Sequence, residues 1–193
     1  LLVMLIVGFA YVDRTPAEAS FFQNISQIFK VRSSLVDLWS FDGKDLISVT
    51  AYDRSGQGNN GTLINFTSAT SSKTAGAIGQ GLRFDGVDDH VTFPDTGITY
   101  GFYNTLSIWV KTTSTDERYA LSYGDSGGLQ SFNLGISSGA AVFTTNGSTL
   151  FGNRAINDNK WHHVLLTADL NTMTIYIDGV FDEIKKEIDK LIS

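Results

Sequence analysis

The sequence predicts an all-β protein built as an antiparallel sandwich, and three observations carry that prediction. Short apolar-alternating runs recur along the chain; in residues 106–111, Leu106, Ile108 and Val110 fall on one face and Trp109 on the other. Clusters of Asp, Asn, Gly and Ser separate the runs, such as DRSGQGNNG at 53–61 and DGVDD at 85–89, and these are the residues of tight polar turns. Finally, 42% of the 193 residues are apolar and only two are proline, which is enough for one sandwich core of about 150 residues plus flanking segments.

Taken in order, residues 35–41 read as a strand with Leu35, Asp37, Trp39 and Phe41 on a shared face. The turn-rich segment 53–62 leads into a strand at 63–66. Residues 81–84 form a strand that ends in the Asp85-Gly86 turn, and residues 90–93 follow it. After the strand at 106–111 come short strands at 119–123, 130–136 and 140–144. Residues 161–169 and 173–178 then read as a hairpin around Leu170-Asn171-Thr172. No internal repeat is present.

Several of these runs match one family in order. W-x-F-D at Trp39–Asp42 precedes A-Y-D-x-S-G-x-G-N-x-G-T-L at 51–63 and G-x-G-L-x-F-D-G-V-D-D at 79–89. LSIWVK at 106–111, KWHHVLLT at 160–167 and MTIYIDG at 173–179 continue the series. The region 34–179 therefore resembles the LamG-like jelly-roll domains of the concanavalin A-like lectin/glucanase superfamily. That resemblance implies a two-sheet antiparallel jelly-roll sandwich of the concanavalin A-like kind. It also implies a structural Ca²⁺ near the Tyr52-Asp53 loop and the closing Asp182-Glu183 motif.

Both ends depart from the sandwich pattern. Residues 1–12 are almost wholly apolar but too few for a membrane-spanning helix, and Ala17-Glu18-Ala19 before Ser20 fits the small-x-small rule of export cleavage. The same region also reads as a retained anchor: Thr15-Pro16-Ala17-Glu18 is a helix start, and Phe21, Phe22, Ile25, Ile28 and Phe29 form one apolar face. Residues 1–33 are thus expected to be an export or anchor segment with an amphipathic helix, lying outside the sandwich core. At the other end two readings compete. Residues 181–184 act as the closing strand motif, or, as the helical spacing of Phe181, Ile184, Ile188 and Leu191 favours, 180–193 is an amphipathic helix, which is the expectation adopted. The domain carries short helical flanks in this reading.

The candidate chemistry is oxygen-based. No cysteine is present, which excludes disulfides, thiolate catalysis and cysteine-ligated zinc. A net charge of −6 with no basic run argues against nucleic acid, and a membrane is reached only through the N-terminal segment. Asp42, Asp53, Asn59, Asn60 and Asp182 are the expected Ca²⁺ ligands, because that ion takes six to eight hard oxygens from acidic and amide-rich loops. Asp85, Asp88 and Asp89 form a second acidic cluster that reads as solvated turn carboxylates. Glu occurs only at 18, 117, 183 and 187, so the E-x-D-x-x-E strand of the related glucanases is missing and no catalytic residue is assigned. His162 and His163 are adjacent and face opposite sides of a strand, so they do not share one metal.

Tyr100, Phe102, Tyr103 and Phe151 are the loop aromatics expected to stack on a sugar face. The function expected is non-catalytic binding of a glycan or cell-surface protein by an extracellular or cell-surface domain, with Ca²⁺ as its cofactor. A structural display domain on a filament or surface layer is the alternative, and a glycoside hydrolase is a distant third.

Overall fold

The computed structural model describes residues 2–4, 35–67, 72–94, 104–124, 132–145, 148–168 and 172–186. Its strands are β1 (Leu2–Met4), β2 (Leu46–Ile47), β3 (Thr50–Ala51), β4 (Gly61–Ile64), β5 (Lys73–Ala75), β6 (Gln80–Arg83), β7 (His90–Thr92) and β8 (Asn104–Lys111). They continue as β9 (Arg118–Tyr123), β10 (Phe132–Ser137), β11 (Ala140–Thr145), β12 (Ser148–Ala155), β13 (His162–Ala168), β14 (Thr172–Ile177) and β15 (Val180–Lys186). The described residues hold no helix, and every pairing is antiparallel.

One sheet has seven strands in the order β15-β14-β13-β8-β1-β6-β5. Two four-stranded sheets run β12-β11-β10-β9 and β2-β3-β4-β7. The long strands of the large sheet pair because their alternation is clean. Leu106, Ile108 and Val110 are buried, and their registered neighbours on β13 include buried Val164 and Leu166. Met173, Ile175 and Ile177 of β14 join the same core, together with Leu134 and Ile136 of β10 and Phe143 of β11. Burying one such side chain stabilises the fold by roughly 1.5–3 kcal/mol, so this shared core is the main support of the sandwich.

Two hairpins close on turns that the residue types dictate. Ser138-Gly139 between β10 and β11, and Asp178-Gly179 between β14 and β15, both have positive φ at each central residue. That geometry matches the twist of the flanking strands.

Three expectations are corrected here. Residues 35–41 do not join a strand ladder. Trp39 and Phe41 are buried, Phe41 has a positive φ, and the backbone bonds of Leu38 go to the Asp53 loop instead. The C-terminal helix is replaced over residues 180–186 by β15, because the Asp178-Gly179 turn folds the chain back onto β14. Residues 187–193 lie outside the described residues. Leu2–Met4, expected outside the sandwich, instead runs between β6 and β8: Leu2 registers with Arg83 and Lys111, and Val3 with Leu82 and Val110. The edges of β6 and β8 do not pair with each other, and this short strand joins them. The remainder of the N-terminal segment, including the cleavage-like and helix-start motifs, lies outside the described residues.

Candidate functional site

Asp53, Asn59 and Asn60 share one loop, but Asp42, Asp53 and Asp182 do not come together as one acidic cluster. Among the described residues, Asp42, Asp53 and Asp182 are not part of any compact group of three acidic or imidazole ligands. Asp53 lies in the turn between β3 and β4, and both its oxygens are turned towards donors. Oδ1 accepts from the backbone N–H groups of Leu38 (3.0 Å) and Ser55 (2.7 Å). Oδ2 accepts from the N–H groups of Gly58 and Asn59 and from the Ser55 hydroxyl. The neighbouring amides are engaged as well: Asn60 Oδ1 accepts from the N–H of Asp53, and Asn59 Nδ2 donates to Asp37. The Asn59 carbonyl accepts from the indole N–H of Trp39.

A cation at Asp53 would need the lone pairs these donors occupy, so this loop does not fit Ca²⁺. Burial would raise the Asp53 pKa, but the Ser55 hydroxyl and the N–H groups of Ser55, Leu38 and Asn59 outweigh it and hold the carboxyl below its ordinary value. The carboxylate replaces a metal as the organiser of the loop.

Asp182 has a similar duty elsewhere. On β15 it accepts from the N–H groups of Asn153 (2.8 Å) and Arg154 (3.1 Å) on β12, tying the edge of the large sheet to the edge of a small one. A Cβ on Gly152 would come within 2.6 Å of its Oδ2, so this approach requires glycine. Asp42 Oδ1 accepts from the N–H of Gln80, whose own Oε1 is buried without a donor partner. Gln80 was not among the expected ligands.

No sequence pattern marks the pair formed by Asp45 and Arg54. Asp45 is 3% exposed and accepts from the Arg54 guanidinium and the Ser40 hydroxyl. Burial alone would raise its pKa; these partners lower it.

The acidic turn at 85–89 is built differently. Asp85, Asp88 and Asp89 present oxygens within 4.8 Å of one another, and Asp85 and Asp88 are exposed. Asp85 Oδ1 accepts from the N–H of Val87 (2.8 Å) and more distantly of Asp88. Asp89 Oδ2 accepts from the N–H of Asp85, and Asp88 Oδ2 from the Asn65 amide. These bonds engage one oxygen of each carboxylate. The N–H of Val87 is the first cause that holds Asp85 below its ordinary pKa. Three carboxylates this close repel one another, and a hard cation relieves that repulsion. The cluster is able to bind a metal.

Beside this turn opens a groove of about 500 Å³. Its floor is apolar, from Phe41, Phe84, Phe93 and Leu121, and Phe93 stacks on Trp39 at 4.7 Å. Its rim is polar: Asp89 and His90 on one side, Arg118, Tyr119 and Ser122 on the other. Consecutive residues of β9 line it, although alternate residues of a strand point to opposite faces. The groove therefore runs along strand edges. β7 and β9 are the end strands of the two small sheets, and the groove lies where those ends meet. Tyr119 is 43% exposed, and its hydroxyl donates to Glu117, which is the first cause raising its pKa.

Of the expected ligand-binding aromatics, Tyr100, Phe102 and Tyr103 lie outside the described residues. Phe151 is on β12, 57% exposed and away from the groove lining.

His162 and His163 do take opposite environments. His162 is held between Asp178 (Nδ1, 2.9 Å) and Asp158 (Nε2, 2.9 Å). Burial would lower its pKa, but the two carboxylates raise it above the ordinary value. His163 lies against Trp109 and bonds the Ser107 hydroxyl at 2.7 Å; burial lowers its pKa.

Comparison with curated proteins returns no match. A solved structure of an S-layer domain-containing protein (residues 221–444) from Clostridium thermocellum is similar at 26% identity. The match covers 80% of this chain and 73% of that one, with a TM-score of 0.49. A laminin G model described as the concanavalin A-like lectin/glucanases superfamily matches residues 85–189, more than half of the chain. That span runs from the acidic turn through the groove wall on β9 to the β13–β15 meander, and leaves Phe41 and Phe84 of the groove floor outside it. This chain belongs to the concanavalin A-like lectin/glucanases superfamily.

Proposed function

We propose that this domain is a non-catalytic binding module of a secreted or cell-surface protein, with the groove between β7 and β9 as the seat of its ligand. The observation that carries this reading is the groove itself: an apolar, partly aromatic floor framed by hydrogen-bonding side chains. Sugars suit such a lining, since their C–H faces rest on aromatic rings and their hydroxyls bond a polar rim. A glycan of the cell surface is the ligand class favoured. Ca²⁺ enters the proposal at the turn of Asp85, Asp88 and Asp89, where Asp89 belongs to both the acidic cluster and the groove.

A glycan array read with and without EDTA tests both parts. The expected result is binding that falls in Tyr119→Ala and Arg118→Ala and persists in Phe151→Ala. Binding that is absent from all glycans, or unaffected by both groove substitutions, overturns the reading. Loss of binding in EDTA that Asp88→Asn reproduces supports the cation; equal binding with and without EDTA removes it. Surface labelling of intact cells with an antibody to the domain checks the location.

A further inference from the structure

The large sheet is continuous only because Leu2–Met4 fills the space between β6 and β8. Its neighbours in register include Leu82, 0% exposed, and Val110, 1% exposed, so the slot lies in the sheet's interior rather than at its rim. Unpaired N–H and C=O groups at that depth are costly, and an empty slot is not a stable state of the fold. The segment's sequence suits the position, because Leu2, Val3 and Met4 are all apolar, the composition of strands in a sheet interior.

The strand is joined to the rest of the domain by a long connection. Thirty residues, 5–34, separate it from Leu35. Fully extended, that length reaches up to about 100 Å. A folded chain of this size has a radius of gyration of only about 16 Å. Both walls of the slot, β6 and β8, come from distant parts of the sequence, and neither pairing uses the connection. The hydrogen bonds offered to a strand are therefore the same whichever copy of the chain supplies it.

We propose that the β6–β8 slot is a strand-exchange site that accepts the Leu2–Met4 strand of a second copy of this chain. The balance between own and exchanged strand is then one of local concentration. A tether favours its own strand up to about millimolar effective concentration, and crowding of copies beyond that favours exchange. Reciprocal donation closes a dimer, whereas one-way donation continues head to tail.

The chain has no cysteine, so engineered thiols report one contact at a time. Leu2→Cys is mixed with Lys111→Cys, and separately with Arg83→Cys, the two residues that flank Leu2 in register. Arg83 is exposed and Lys111 half-buried, so neither substitution empties the core. Each mixture is concentrated to the millimolar range, returned to dilute buffer and oxidised. The expected result is a disulfide-linked species of twice the monomer mass in both mixtures. It should be absent when Leu2→Cys is mixed with Val87→Cys, an exposed turn position outside the slot. Linked dimer no more abundant than in that control overturns the proposal. So does a Leu2→Cys/Lys111→Cys double variant that links only within one chain at every concentration. Circular dichroism of each variant against the unmodified chain shows that a negative result comes from a folded protein.

Discussion

Residues 53–61 and 85–89 look alike in sequence, both being Asp-led, glycine-bearing turns between short strands, yet they are opposites in structure. In the first, one carboxylate gathers four backbone N–H groups and a hydroxyl. In the second, three carboxylates share a few bonds and stand together at the mouth of a groove. The difference lies in where the donors point. A turn whose amides converge on its own Asp has no lone pairs to offer a ligand, whereas one that spreads its amides over several Asp side chains keeps acceptor capacity for a guest. Asp-rich loops are therefore assigned to structure or to binding by counting their internal donors.

The comparison makes a graded series of predictions. Asp53→Ala should have the largest effect, because it leaves several donors without their acceptor: about 2–3 kcal/mol of stability lost in urea unfolding, with no dependence on Ca²⁺. A wild-type melting curve in which Ca²⁺ protects this loop, and Asp53→Ala abolishes that protection, would falsify the account of a saturated loop.

Asp182 serves two N–H groups, so Asp182→Ala should cost about 1–2 kcal/mol by the same measurement. A neutral result would mean that β12 and β15 hold together without it.

His162 extends the scale to pH. Its pKa is raised in the folded state by Asp178 and Asp158, whose own partners include Arg154 and Lys160. The stability it contributes is fully present below its unfolded value of about 6.5 and is lost as pH rises through the higher folded value. His163, lowered by burial, works in the opposite direction and weakens the fold as pH falls. Unfolding free energy measured between about pH 6 and 9 should decline in the wild type and flatten in His162→Gln; an unchanged slope refutes the bridge.

Asp88→Asn should be the mildest, within about 0.5 kcal/mol of wild type in stability, since this carboxylate is exposed. A large loss there would place Asp88 with Asp53 as a structural residue.

Much of the fold was legible because period-2 alternation is hard to mistake over residues 106–111 or 173–177, and because Asp-Gly and Ser-Gly mark tight hairpins. The errors have local causes. β15 mimicked a helix because its pairing with β14 shifts register between Ile175 and Tyr176, which breaks the alternation and leaves Phe181 half exposed. β12 went unseen because only Ser148 and Leu150 are buried along its length, so it shows no apolar stripe. Residues 35–41 were read as a strand from their alternation, whereas their backbone partners are supplied by a loop some fifteen residues on. The groove was not legible at all. It arises where the ends of two sheets meet, from residues as distant as Phe41 and Ser122, and no local pattern records that meeting.

The placement of Leu2–Met4 also sets a schedule for biosynthesis. Leu2 registers with Lys111, 109 residues later in the chain. At ribosomal speeds of about 5–20 residues per second, this apolar segment waits roughly 5–20 s before its partner strand has been made. Throughout that interval a greasy segment with β-forming character is without its sheet, the condition in which nascent chains aggregate or engage chaperones. A segment made well before its partner strand is among the last to find its place, and the yield of folded protein depends on what shields it meanwhile.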